Sequence, residues 1–284
     1  MGAGIVQVAA HNGFKVVLCD VSEKALDTGR GIIQKSVARI AKKSHPADEG
    51  AQHAFVASVF DNITTTTDAK EAVRESDLVI EAIVENLKVK KELFERLDGM
   101  ARPRCLFATN TSSLSVKEIA SSTSEDRRTR FGGLHFFNPV PQMKLVEVVR
   151  TDDTSAETYQ SLMEVCAKMQ KHAVTCKDTP GFIVNRLLIP YMAEAIRMLE
   201  RGDATAEDID AAMRLGAGYP MGPFELTDFV GLDTTKHILD GWRDKVKDGV
   251  KSIPAELVEE SEMLSRKVSE GKMGRKSGEG FFKY

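Results

Sequence analysis

Met1-Gly2-Ala3-Gly4-Ile5-Val6-Gln7-Val8-Ala9-Ala10 opens the chain, and after a break at Asn12-Gly13 it continues as Lys15-Val16-Val17-Leu18-Cys19-Asp20. The first run reads as the start of a helix packed closely through small residues, and the second as a strand ending in an acid. In a dinucleotide-binding unit the last glycine of a G-x-G-x-x-G turn opens such a helix. An acid about 20 residues further on accepts hydrogen bonds from the adenosine ribose. Gly2 and Asp20 fit these two roles, and the Asp20 charge would repel a 2′-phosphate, which favours NAD over NADP. Glycines and strand-end aspartates also occur by chance in α/β proteins, so the surrounding sequence has to decide.

Outward from this run, residues 1–178 alternate short apolar stretches with helical patterns, the signature of a parallel sheet covered by helices. The expected strands are Lys15–Asp20, Asp77–Ile83, Cys105–Asn110, Phe131–Phe137, Lys144–Arg150 and His172–Lys177. The expected helices are Ser22–Lys43, Leu87–Met100 and Ser155–Met169, the last opened by a capping box of Thr154 and Glu157. The fold class is α/β, a doubly wound, Rossmann-like sheet. Because the chain opens at the third glycine of the turn, the first strand of that sheet is expected to be missing. In the order 3-2-1-4-5-6 this strand has a neighbour on each side, and its absence would leave two rows of unpaired backbone groups. After Asp178-Thr179-Pro180-Gly181 the strand pattern stops, and residues 179–284 read as an all-helical domain: Phe182–Arg201, a Thr205-capped helix to Leu215, and Phe224–Lys245.

The 284 residues are 42% hydrophobic and 29% charged, with a formal net charge of −3. No basic field points to nucleic acid or to an anionic membrane, so a small-molecule ligand is expected. Cys19, Cys105, Cys166 and Cys176 show no C-x-x-C spacing and no surrounding His pairs. This argues against a metal and reads as buried thiols in a reducing compartment. No run approaches the ~20 apolar residues that span a bilayer, and no signal or transit segment is read at the start.

The chemistry-bearing stretch is Gly132-Gly133-Leu134-His135-Phe136-Phe137-Asn138-Pro139. It places a histidine at the end of an apolar strand, where open α/β sheets bind ligands. A group titrating near neutrality there could accept the proton of a secondary alcohol while hydride leaves to the cofactor, although a lone strand histidine is often structural. Glu147 is the sole acid of the strand Lys144–Val149 and shares parity with Leu145 and Val149. On a buried face it needs a partner, and an imidazolium would be one; on a surface strand it would merely be solvated. Two other polar positions stand out: Thr109–Ser113 after a strand, which could also be a helix cap, and Asn185 inside an apolar helix pattern.

Together these runs resemble the short-chain L-3-hydroxyacyl-CoA dehydrogenases of fatty-acid β-oxidation. The resemblance is carried by Glu81–Lys90, Asn110–Leu114, Leu134–Pro141, Lys144–Val148, Asp178–Leu188 and Leu215–Pro223, in that order and spacing, over nearly the whole chain. It implies NAD-dependent oxidation of a 3-hydroxyacyl-CoA to a 3-oxoacyl-CoA, with His135 as base, Glu147 as its partner, and Ser112 and Asn185 at the substrate oxygen. It further implies Asp20, Glu85, Lys90, Ser112, Asn138 and Lys276 at the cofactor, beside the Gly2 of the glycine turn, and Ser36 and Lys43 at coenzyme A. A homodimer through the helical domain and a mitochondrial matrix location follow from the same resemblance, with the cytoplasm as the alternative compartment. The competing functional reading is a non-catalytic relative that binds acyl-CoA or serves a structural role.

Overall fold

Parallel strands need long crossovers, and the first 178 residues supply them. The computed structural model describes all 284 residues and divides the chain into two compact units, Met1–Asp178 and Thr179–Tyr284. In the first unit the order is α1 (Gly2–His11), β1 (Val16–Cys19), α2 (Glu23–Ser44), α3 (Glu49–Phe60), β2 (Ile63–Thr66), α4 (Ala69–Arg74), β3 (Leu78–Glu81), α5 (Leu87–Asp98), β4 (Leu106–Thr109), α6 (Val116–Ala120), α7 (Glu125–Arg128), β5 (Phe131–Phe136), β6 (Leu145–Arg150), α8 (Ala156–Lys168) and β7 (His172–Lys177).

All six expected strands form, within two residues of their expected ends. β2 is an addition: Ile63-Thr64-Thr65-Thr66 has one aliphatic residue in four and no alternating pattern that would have marked it as a strand. α8 is capped by Ser155, whose hydroxyl accepts the Thr158 N–H, rather than by Thr154. Thr154 instead gives its hydroxyl to the Phe131 carbonyl.

The strands form two sheets, β1-β2 and β3-β4-β5-β6-β7. β1 and β3 are therefore both edges. Leu78, Val79 and Ile80 are half-buried, whereas Phe107 and Ala108 on the neighbouring strand are fully buried. Helix α1 spans both sheets: Ile5, Val8 and Ala9 share a core with Ala108, Leu134 and Val146, while Val6 and Ala10 pack with Ile33, Val37, Val59 and Ile63.

The sheet is parallel as expected except at one pair, where β6 runs antiparallel to β5. The segment between them, residues 137–144, carries no helix and is too short for a crossover, so the chain must turn back on itself. Gly132 and Gly133 allow this pair to be covered closely. A Cβ on Gly132 would stand 2.6 Å from Leu162, and one on Gly133 would stand 2.8 Å from Val149.

The second unit comprises α9 (Val184–Arg201), α10 (Ala206–Gly216), α11 (Pro223–Val230), α12 (Leu232–Lys247) and α13 (Glu262–Ser269), with Phe224, Leu232 and Trp242 in its core. The single helix expected over Phe224–Lys245 is broken at Gly231, whose φ of 104° is inaccessible to a helix. At the start of α9, Gly181 and Phe182 both adopt positive φ, so the helix begins at Val184 instead of Phe182. Behind α11 the buried Asp228 carboxylate gathers the end of the chain, accepting the N–H groups of Phe281 (2.7 Å) and Phe282 (2.8 Å) and the Tyr284 hydroxyl (3.1 Å).

Asp228→Ala removes the buried carboxylate that accepts all three hydrogen bonds. It is expected to lower stability by about 3 kcal/mol in urea unfolding and to expose the terminal segment to proteases. A loss below about 0.5 kcal/mol would show that the clamp does not hold the tail.

Candidate active site

The antiparallel turn fixes the central geometry. β5 and β6 pair with His135 directly opposite Glu147, and in such a pair the two Cβ atoms face each other across about 5 Å. His135 Nδ1 lies 2.7 Å from Glu147 Oε2; Glu147 is fully buried and His135 is 6% exposed. The carboxylate is thus held dry on a strand covered on both faces, which excludes the solvated alternative for Glu147. Phe137 packs against the imidazole, with ring centroids 4.5 Å apart.

The segment after β4 is tied down from three sides. Asn110 Oδ1 accepts the Phe136 N–H (2.9 Å), joining this segment to the strand of His135. Glu85 Oε1 accepts the Thr111 hydroxyl (2.6 Å) and the N–H groups of Ser112 (2.9 Å) and Ser113 (3.2 Å). Asp178 accepts the Ser115 hydroxyl (2.7 Å) and the N–H groups of Val116 (3.0 Å) and Lys117 (2.8 Å), covering the start of α6. Ser112 is therefore placed by the Glu85 carboxylate.

Beneath Glu85 lies a dry ion cluster. Lys90, 1% exposed, has its ammonium 2.6 Å from Glu81 and 3.3 Å from Glu85. Glu81 also accepts the Thr109 hydroxyl (2.7 Å) and the Ile83 N–H (2.7 Å). Burial works against the Glu85 charge. The Thr111 hydroxyl, the Lys90 ammonium and the Ser112 N–H outweigh it and hold the carboxyl below the usual glutamate range.

The remaining expected residues lie as follows. Gly2 begins α1. Asp20 is exposed just after β1, its Oδ1 accepting the Val21 N–H (2.7 Å). Asn138 is exposed in the segment between β5 and β6, before a cis peptide bond to Pro139, and Lys171 braces that segment through the Val140 and Met143 carbonyls. Ser36 and Lys43 stand seven residues apart on one face of α2. In the second unit, Lys276 Nζ is 2.5 Å from Asp233, and Asn185 occupies the second position of α9. The mid-helix argument for Asn185 thus does not hold, because polar residues are ordinary in a first helical turn.

Sequence reasoning missed Glu81 and Asp178 as site-building residues. Glu81 carried the same signal that had marked Glu147, an acid inside an apolar strand. Of the four thiols only Cys105 and Cys166 are fully buried, and Cys19 is exposed rather than buried. Burial pushes Cys166 up to about 12 and Cys105 to about 11, and burial with the Glu147 and Asp178 charges pushes Cys176 to about 12. None is poised as a nucleophile.

Residues 1–179 match the family model described as "3-hydroxyacyl-CoA dehydrogenase, NAD binding domain", and residues 181–284 match "3-hydroxyacyl-CoA dehydrogenase, C-terminal domain". The chain is 55% identical to the human "Hydroxyacyl-coenzyme A dehydrogenase, mitochondrial" over 284 residues, covering all of this chain and 88% of the relative. It is 42% identical to a "Probable 3-hydroxybutyryl-CoA dehydrogenase" of Bacillus subtilis, covering all of this chain and 94% of that one. The crystal structure of (S)-3-hydroxybutyryl-CoA dehydrogenase from Ralstonia eutropha is similar with a TM-score of 0.91 at 35% identity, covering 100% of this chain and 95% of that chain. By class this is an NAD-dependent oxidoreductase. Within that class, the chain belongs to the 3-hydroxyacyl-CoA dehydrogenase family.

The depressed Glu85 pKa has a sign that can be checked. A carboxyl whose folded pKa lies below its unfolded value stabilises the fold above the ordinary value of 4.5, and that contribution is lost as pH falls through the folded pKa. The difference in melting temperature between wild type and Glu85→Gln is therefore expected to be widest at neutral pH and to close in acid. A pH-independent gap would mean that the charge plays no part.

Proposed function

We propose that this chain oxidises the L-3-hydroxyl of an acyl-CoA to the 3-oxo thioester in β-oxidation, with His135 taking the hydroxyl proton and Glu147 holding the ring. The observation that supports this most directly is the buried, directly opposed His135–Glu147 pair, at the edge of the sheet where β3, β4 and β5 end together. An imidazole whose Nδ1 is engaged by a carboxylate has Nε2 as its proton-accepting nitrogen. The carboxylate fixes the tautomer and stabilises the imidazolium formed when the proton arrives.

The residues present fit NAD. Met1 makes no side-chain cap at the start of α1, and the first turn of that helix carries no acid, so its positive end is unneutralised and suited to a pyrophosphate. Asp20 offers an exposed carboxylate at the end of β1, suited to ribose hydroxyls. Gly2, Asp20, Glu85, Ser112, Asn138 and Lys276 would hold the cofactor, with Lys90 acting through Glu85 because it is itself buried. When bound, NAD supplies the hydride acceptor. Ser112 and Asn185 would bond the substrate oxygen, and Ser36 and Lys43 would bond coenzyme A.

A homodimer through apolar faces in Tyr191–Leu199 and Ile209–Leu215 accords with an 87% exposed Leu215 and a 44% exposed Tyr219 in the second unit. Relatives of rat, mouse and human origin at 54–55% identity are named mitochondrial, which supports the mitochondrial matrix as the compartment.

The test is reduction of acetoacetyl-CoA by NADH with the purified chain. Turnover is expected in the wild type. His135→Ala should lose about a thousandfold in kcat with NADH affinity unchanged, and Glu147→Gln should lose about ten- to a hundredfold with the fold intact. Wild-type turnover in His135→Ala would remove the base assignment. NADH binding without any turnover on acyl-CoA substrates would favour a binding role.

A further inference from the structure

The ion cluster under the site is unbalanced. Two carboxylates, Glu81 and Glu85, share one ammonium, Lys90, so the formal charge is −1. The other groups bonded to the two acids are neutral donors: the Thr109 and Thr111 hydroxyls, the serine hydroxyls, and the N–H groups of Ile83, Ser112 and Ser113. Glu81 and Lys90 are almost wholly withdrawn from solvent and Glu85 is about a third exposed, so water and salt screen the excess charge only weakly.

Its position matters because of what differs between the two forms of the cofactor. The nicotinamide ring carries a positive charge when oxidised and none when reduced, while the rest of the molecule is the same. A fixed negative charge near that ring therefore stabilises one form and not the other. Hydride transfer requires the ring beside the carbon whose hydroxyl His135 deprotonates. β3 ends two strands away from β5, about 10 Å at ordinary strand spacing, and Glu85 is drawn toward β4 by its bonds to Thr111 and Ser112.

We infer that Glu81, through Lys90 and Glu85, sets the oxidation-state preference of this site, its buried charge favouring oxidised over reduced nicotinamide. This rests on the reading that NAD binds with its reactive ring beside His135. Glu81 then determines specificity without touching the ligand. Were Lys90 to neutralise Glu85 alone, the ring would meet no net charge; with Glu81 occupying the same ammonium, the excess carboxylate charge is left toward the site. At a separation of about 10 Å and an effective dielectric constant of about 20, one charge alters the relative affinity of the two forms by about tenfold.

The experiment measures the Kd of NAD⁺ by calorimetry and of NADH by fluorescence for wild type, Glu81→Gln and Glu85→Gln. Glu81→Gln keeps the shape of the side chain, its amide oxygen accepting from Lys90 and Ile83 while its NH2 faces the Thr109 hydroxyl oxygen, and brings the cluster to neutrality. The expected result is a rise of about tenfold in the ratio Kd(NAD⁺)/Kd(NADH). A purely structural role would weaken both forms together, so an unchanged ratio with both forms bound overturns the inference while leaving the cofactor reading intact. Wild type that binds neither form overturns both. Should Glu81→Gln fail to fold, Glu85→Gln makes the same change in charge at the residue through which Glu81 acts, and an unchanged ratio there overturns the inference.

Discussion

One reversal of chain direction carries the chemistry of this molecule. The carboxyl edge of a parallel sheet would leave His135 at a strand end with no acid on the next strand facing it. Because β6 runs back beside β5, Glu147 is presented at the opposed position, and the short backbone distance between paired residues delivers its carboxylate to Nδ1 at 2.7 Å. The glycines of β5 serve the same end, since side chains there would push away Leu162 and Val149 and with them the covering helix and the strand of Glu147. Burying an unpaired carboxylate would be costly, and the imidazole at 2.7 Å compensates the burial of Glu147.

Around this pair, the placement of loops is assigned to side chains rather than to regular structure. Asn110, Glu85 and Asp178 come from three different places in the sequence and converge on residues 111–117 and on the strand of His135. Regular hydrogen bonding ends at the edge of the sheet, and these acids and amides continue the ladder beyond it. The second unit repeats the device: Asp210 accepts the N–H groups of Phe224 and Glu225 at the start of α11, and Asp228 collects the chain end. In each case an acid distant in sequence satisfies backbone donors that a loop would otherwise leave open.

The elements that the sequence disclosed were those with a strong internal period. The strand of His135, the strand of Glu147 and the long helices were legible from apolar pattern and capping residues, and the His135–Glu147 pairing followed from asking what a buried acid needs. β2 was not legible because Ile63–Thr66 is too short and too polar to alternate. The break at Gly231 was hidden inside a continuous amphipathic pattern, since periodicity records which face is buried and not whether the backbone stays helical. The reversed direction of β6 was readable in principle from the eight residues that precede it. The clamps of Glu81 and Asp178 could not be paired from sequence, because their donors combine backbone N–H groups that any residue possesses with an ammonium and hydroxyls whose proximity only the fold decides.

The protonated thiols bear on the company this protein keeps. A thioester transfers its acyl group to any accessible thiolate, and a protein that handles acyl-CoA is exposed to that exchange continually. Here Cys105, Cys166 and Cys176 are held as thiols by burial, with values from about 11 to about 12. Even the exposed Cys19 is raised, by partial burial and by the Asp20 charge beside it. All four cysteines are thereby held toward the protonated, less nucleophilic form, the form least able to take an acyl group from a thioester.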